Sequence, residues 1–346
     1  MRILHVIQEL GTGGAERILL SAYRGARAAG HEVLVAAAPG PLAAELDSEP
    51  YPLPVVGRRV SRLPSAASAV RRAVKETRPD VIHAHNPTMS FVTGMVTRRG
   101  RRPPGLVSLH GGPEEDWPAA VRLVRLSGLA PVACGPGVEA ALEQHGLEPL
   151  ATVPNAVAPA PPPANRADLG LASGTRLVLA VGRLVEQKNH ALAIRAIADV
   201  PDAVLAIAGD GVLREELEHL AEETGVADRV RFLGVRPDAR ALMGAADAVV
   251  LSSRWEGLPL SALEALASGT PLVATDVRGL RELVEDDENA LLVPEDPQAL
   301  AAALRRVLGD PELAARLAAA GKQVDGAGDD ARLVARFLEL YERLAA

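Results

Sequence analysis

The sequence predicts an α/β protein of two Rossmann-like, doubly wound domains facing across a cleft, and three observations predict it. The chain has 346 residues, above the roughly 250–300 at which one core usually stops growing. Short β-branched runs alternate with longer Ala/Leu-rich amphipathic stretches, the pattern of parallel sheets covered by helices. A Pro/Ala-rich segment at residues 157–165 interrupts that alternation, and it can neither continue a helix nor join a central strand.

Taken in order, the first domain spans 1–157, with strands expected at 2–7, 32–37, 80–84, 105–109, 131–134 and 152–153 and helices between them, as at 15–29 and 65–76. A linker follows at 158–170. The second domain, 171–328, repeats the pattern with strands at 177–181, 203–208, 230–232, 248–251, 272–274 and 290–292. In the last stretch, 329–346, Leu333, Val334, Phe337, Leu338 and Tyr341 fall at helical spacing, which predicts a closing helix. Ligands of open α/β sheets sit outside the carboxyl ends of the strands, so the chemistry is expected in the interdomain cleft.

Composition narrows the function classes. Hydrophobic residues make up 48% of the chain, yet only two Trp, three Tyr and three Phe are present, so the cores are filled by Ala, Val and Leu. Too few aromatic residues are available for base stacking, which argues against a nucleic-acid partner. The lone Cys134 allows neither an internal disulfide nor a thiolate metal cluster. With no apolar run near the roughly 20 residues of a spanning helix, a cytoplasmic protein is expected. The net charge of -7 is uneven: up to residue 160 there are 17 Lys/Arg against 14 Asp/Glu, and beyond it 20 against 30. Arg58, Arg59 and Arg62, and Arg98, Arg99, Arg101 and Arg102, cluster in the first part. They read either as solvated loop residues or as a peripheral contact with the anionic inner face of a membrane or an acidic acceptor.

Four motifs stand where chemistry is expected. After the first strand, Gly11-Thr-Gly13-Gly14-Ala-Glu16 opens a helix, which suits either a tight turn or close approach of an anion to the backbone. The third glycine of a dinucleotide fingerprint is missing and no acidic residue ends the second strand, so a nicotinamide enzyme is disfavoured. After the strand at 177–181, Arg183 and Lys188 can both reach one pyrophosphate, unless each is simply a surface cation. After 248–251 comes Glu256-Gly257-Leu258-Pro259, with Glu264 expected about two turns into the following helix. The two carboxylates could span an elongated ligand, with the backbone of Gly257 and Leu258 offered to a phosphate between them; the plainer alternative is a helix-dipole residue and a solvated helix position. His83, His85 and His110 end strands of the first domain, as structural hydrogen-bonding residues or as part of a polar site. No carboxylate or cysteine accompanies them at ligand spacing, and no Asp-x-Asp element is present, so no metal site is expected.

In this order and spacing, Gly13-Gly-Ala-Glu16, Ser108-Leu-His-Gly111, Val153-Pro-Asn-Ala156, Val181-Gly-Arg-Leu184 with Lys188, Ala208-Gly-Asp-Gly211 and the E-x7-E element from Glu256 to Glu264 resemble the GT-B retaining glycosyltransferases of family 4 (group 1). The likeness runs from Met1 to about Leu344. It implies transfer of a sugar from a nucleotide-diphosphate sugar, UDP-sugar ahead of GDP-sugar, to a glycan, lipid-linked or small-molecule acceptor, with no cofactor and no metal. Arg183 and Lys188 would bind the diphosphate and Glu264 the ribose hydroxyls. Glu256, with the backbone of Gly257 and Leu258, would engage the transferred sugar, and His110 would lie against that sugar from the other domain. Gly13 and Gly14 would let the first helix approach the phosphates and acceptor, and the stretch ending at Val235 would flank the base. The closing helix would pack back on the first domain. A nucleotide-sugar 2-epimerase and a catalytically inactive nucleotide-sugar-binding partner are the rival readings; the first would act on the donor with no acceptor.

Overall fold

The computed structural model describes residues 1–56, 60–97, 103–171 and 174–346. The chain divides into two compact units, Met1–Asn155 with Asp330–Ala346, and Ala156–Asp329. Arg58, Arg59, Arg98, Arg99, Arg101 and Arg102 lie outside the described residues. Arg62 is exposed and donates from Nη1 to the Val55 carbonyl at 2.9 Å.

The first unit runs β1 (Arg2–Glu9), α1 (Gly14–Ala28), β2 (Glu32–Ala38), β3 (Tyr51–Pro52), α2 (Leu63–Thr77), β4 (Val81–Ala84), α3 (Pro87–Thr97), β5 (Gly105–Leu109), α4 (Trp117–Ser127), β6 (Ala130–Ala133), α5 (Pro136–Gln144) and β7 (Ala151–Thr152). The second runs β8 (Arg176–Val181), α6 (His190–Ala198), β9 (Ala203–Ala208), α7 (Arg214–Glu223), β10 (Val230–Gly234), α8 (Ala239–Ala245), β11 (Ala248–Leu251), α9 (Leu260–Ser268), β12 (Leu272–Thr275), α10 (Arg278–Arg281), β13 (Leu291–Val293), α11 (Pro297–Gly309) and α12 (Pro311–Gly321). The last helix, α13 (Ala331–Ala345), belongs to the first unit.

Both sheets are parallel, with strand orders β3-β2-β1-β4-β5-β6-β7 and β10-β9-β8-β11-β12-β13. In each, the chain winds outward on one side of the first strand and then crosses to the other. The order therefore reverses between β1 and β4 and between β8 and β11, and loops leaving such neighbours part to open a crevice. The strands are buried on both faces, hence their near-continuous apolar runs: Ile3, Leu4, Val6 and Ile7 of β1 and Leu177 to Ala180 of β8 are at most 2% exposed.

Differences from the expected elements are local. β3 has no apolar run to announce it, and its Pro52 sits on a sheet edge, where a missing N–H breaks no central ladder bond. β10 continues to Gly234 and β13 starts at Leu291. Glu264 is the fifth residue of α9, little more than one turn in and not two, because the helix begins at Leu260 and Pro259 is its cap. The proline-rich segment lies along the second unit: Val157 bridges Ala327, and Ala164 N–H donates to the Ala241 carbonyl at 2.9 Å. No helix among the described residues is long and apolar enough to cross a membrane.

Helix α13 closes the first unit. Leu333, Phe337, Leu340 and Tyr341 are buried on one stripe, and Val334 packs so closely on α1 that a Cβ at Gly25 would stand 2.2 Å from its Cγ1. Gly25→Val is expected to cost about 2–3 kcal/mol through overpacking. Denaturant unfolding checks it, and Val334→Ala in the same chain is expected to recover part of the loss.

Candidate active site

In the second unit, β8 and β11 run side by side with Ala180 opposite Val250, so the loops leaving their carboxyl ends meet at the reversal point. Three hydrogen bonds lock them together. Arg254 N–H donates to the Gln187 carbonyl at 2.9 Å, Gln187 Nε2 to the Trp255 carbonyl at 3.1 Å, and Ser252 Oγ to the Lys188 carbonyl at 3.0 Å. Lys188 Nζ then lies 2.6 Å from Glu256 Oε1, which also accepts from Ser253 Oγ at 2.6 Å. Both charged side chains are largely buried, at 16% and 6% exposure. An ammonium carries three donors, so Lys188 can hold Glu256 and still present N–H groups to a second anion.

Two glycines let the backbone close in on these loops. A Cβ on Gly209 would fall 1.9 Å from the Gly182 carbonyl oxygen, and one on Gly279, in α10, 1.9 Å from that of Gly257. Sequence reading placed the first within Ala208-Gly-Asp-Gly211 and missed the second, for nothing in Val277-Arg-Gly-Leu announces a contact with a loop two dozen residues away.

The other expected residues of this unit are placed as follows. Arg183 is exposed and reaches Gln187 Oε1 at 3.5 Å. Gly257 and Leu258 follow Glu256 directly, with Leu258 only 8% exposed. Val235, just past β10, is half exposed. Glu264 is 7% exposed, which rules out the solvated position, and its nearby cation is Arg240 on α8, with Nε 3.6 Å from Oε1. Beneath the first loop, His190 is 4% exposed, and burial, reinforced by the charge of Lys188, pushes its pKa down to about 4. Arg240, Ser253 and His190 were not foreseen; no spacing rule marks a lone residue whose partner is distant in sequence.

In the first unit, β1 and β4 pair with His5 opposite His83, and two-residue alternation puts His85 on the same side as His83. These three offer one ring nitrogen each within 4.8 Å of one another. His5 Nδ1 and His85 Nε2 are 2.9 Å apart, while His83 is taken at both nitrogens, by Tyr341 Oη and Ser108 Oγ at 2.7 Å each. The cluster is thus a network of imidazoles and hydroxyls under α13. His110 stacks parallel to His85 with ring centroids 6.3 Å apart. Burial holds His5 near pKa 3 and His110 near 4, and holds His83 and His85 well below the ordinary histidine value, with neighbouring imidazoles adding to the effect. His5 escaped the sequence reading, although a histidine among Ile, Leu and Val in a strand is a signal for it. Gly13 and Gly14 stand where α1 opens, Gly13 as its cap, and the Glu16 side chain folds back over the turn, so that a Cβ on Gly13 would meet its Oε2 at 2.5 Å.

Residues 163–324 match the family model of glycosyl transferases group 1, and residues 12–160 that of glycosyltransferase family 4. The chain is 37% identical over 187 residues to the lipopolysaccharide core biosynthesis glycosyltransferase LpsD of Rhizobium meliloti (strain 1021), a match covering 54% of each chain. To LpsE of the same organism it is 38% identical over 160 residues, 46% of this chain and 47% of that one. The chain spans about half the length of the curated relatives it matches. The crystal structure of Anabaena Alr3699/HepE in complex with UDP-glucose is similar with a TM-score of 0.86 and 25% identity, over 99% of this chain and 100% of that one.

Proposed function

The chain belongs to the glycosyl transferases group 1 family, and on that premise we propose that it transfers a sugar from a nucleotide-diphosphate sugar to an acceptor hydroxyl, with retention at the anomeric carbon. The observation that carries this reading is the meeting of the β8 and β11 loops, with Lys188 bonded to Glu256 at the carboxyl ends of the strands. In the proposed site, Arg183 and Lys188 bind the diphosphate, and Lys188 stabilises it as negative charge grows on the leaving group. These fixed cations, with the N-terminus of α9, do the work a metal ion would do, so the reaction is proposed to be metal-independent and to need no cofactor. Glu256, with the backbone of Gly257 and Leu258, engages the transferred sugar. Glu264 takes the ribose hydroxyls and Val235 flanks the base.

His110, Gly13 and Gly14 of the first unit are assigned to the sugar and acceptor. His110 is held neutral by its burial, so it can offer one nitrogen as donor or the other as acceptor to a sugar hydroxyl. Departure of the diphosphate and attack by the acceptor on one face retain configuration without a covalent carboxylate. Glu256, already bonded to Lys188 and Ser253, is accordingly not a nucleophile. A UDP-sugar donor is supported by the HepE complex with UDP-glucose. Among glycan, lipid-linked and small-molecule acceptors, the relatives named for lipopolysaccharide core biosynthesis favour a saccharide, free or lipid-linked. The expected place of action is the cytoplasm, peripheral at the membrane where the acceptor is a lipid.

Thermal unfolding across UDP, GDP, ADP and TDP and their sugar conjugates tests this. One nucleotide is expected to stabilise the chain, by about 2.7 kcal/mol at a hundredfold excess over Kd, and Lys188→Ala to abolish the shift measured against its own baseline. A chain that no nucleotide stabilises would overturn the donor site.

A further inference from the structure

Arg240 occupies an unusual position beside the carboxylate assigned to the ribose. Its Nη2 donates to two main-chain carbonyls, Ala158 at 2.5 Å and Pro159 at 3.1 Å, which fixes one edge of the guanidinium. Its Nε points to Glu264 Oε1 from 3.6 Å, and this buried N–H has no hydrogen-bond partner. A buried donor left unpaired is costly, and the acceptor that would relieve the cost is within a few tenths of an ångström of reach. Glu264 itself is 7% exposed on α9, beside α8.

We propose that Arg240 is the positioning residue of Glu264, and through it a determinant of ribose recognition. The inference rests on the donor-site reading above. A carboxylate that accepts from two vicinal hydroxyls must hold both oxygens in one plane facing the sugar. Arg240 Nε binds a lone pair directed away from the sugar, supplies the opposite charge, and stops the carboxylate from turning. When the ribose hydroxyls draw the carboxylate into register, the Nε–Oε1 separation shortens to a charge-assisted hydrogen bond of about 2.8 Å. The pairing of Arg240 Nε is completed at that moment, so part of the binding free energy appears only with a ligand that carries the hydroxyls.

Calorimetric titration tests it with the nucleoside diphosphate among UDP, GDP and ADP that the wild-type chain binds, and with its 2′,3′-dideoxy form. Arg240→Met keeps the aliphatic stem. It is expected to weaken the diphosphate about tenfold and the dideoxy form less than twofold. Arg240→Lys is expected to recover part of the lost discrimination, and in a Glu264→Gln background Arg240→Met is expected to change neither affinity. Equal weakening of both ligands by Arg240→Met would mean that the residue only anchors Ala158 and Pro159, and would overturn the inference. Discrimination lost in Glu264→Gln but intact in Arg240→Met overturns this inference alone. Discrimination unaffected by Glu264→Gln, or binding of none of the three diphosphates, overturns the donor-site reading and this inference with it.

Discussion

Lys188→Ala is expected to lower sugar transfer by about 10²- to 10³-fold, the usual loss when one fixed charge opposite a developing anion is removed. The chain is also expected to become less stable, because the lysine is one half of a largely buried ion pair. Without a diphosphate its Nζ is bonded to Glu256 Oε1 at 2.6 Å, and that carboxylate side chain is only 6% exposed. Taking away the cation leaves a nearly buried carboxylate with Ser253 Oγ still donating to it. Breaking such a pair from one side costs about 3 kcal/mol, or about 6–12 °C in the melting temperature of a domain this size. Glu256→Gln in the same chain removes the stranded charge, so the double variant is expected to regain most of the stability and none of the transfer. Steady-state transfer and thermal melts of the three variants check both halves. Near-normal transfer by Lys188→Ala would sink the leaving-group role. A double variant no more stable than Lys188→Ala would show that the ion pair is not what holds the two loops.

The two doubly wound sheets were legible because parallel strands buried on both faces carry unbroken apolar runs, and Leu177 to Val181 or Ala203 to Ala208 can be little else. β3 was not legible, since two residues at an edge bury too little surface to leave a pattern. The charged positions were legible by place: Arg183, Lys188 and Glu256 follow the carboxyl ends of β8 and β11, and Glu264 lies within α9. Their pairing was not. Sequence reading sent Lys188 to a phosphate and Glu256 to a sugar, while the fold joins them, because β8 and β11 flank the reversal of strand order though they lie some 70 residues apart. Contacts of that kind are set by topology, and so is Arg240 beside Glu264. His83, His85 and His110 were read as structural hydrogen-bonding residues at strand ends or as part of a polar site; His83 is hydrogen-bonded at both nitrogens, but its partner Tyr341, 258 positions away, was not legible because that bond needs α13 to be in place.

That histidine network makes the first unit the acid-sensitive one. His5 has a pKa near 3 and His110 near 4, while His83 and His85 are well below 6.5, all chiefly from burial. A group whose pKa is depressed on folding binds its proton more readily in the unfolded chain, so its contribution is complete above about pH 7 and is lost as the pH falls through 6.5 toward the folded value. At pH 5 His5 and His110 each cost about 2 kcal/mol relative to neutral pH, about 4 kcal/mol together and a large part of the stability of a domain, and His83 and His85 act in the same direction. The second unit has His190, with a pKa near 4, and is expected to lose about 2 kcal/mol from it over the same range. The lowered carboxyl groups Asp238, Asp276 and Asp287 add their loss only below pH 3.8 and do not blur the comparison. The two tryptophans report separately, Trp117 in the first unit and Trp255 in the second. Urea unfolding of Trp255→Phe and Trp117→Phe at pH 7.5, 6 and 5 is therefore expected to show both signals moving to lower urea on acidification, the Trp117 signal at least twice as far as the Trp255 signal. Parallel movement of the two signals, or a Trp117 transition indifferent to pH, would mean that the network accepts a proton while folded, and that Tyr341 and Ser108 do not hold it in its neutral form.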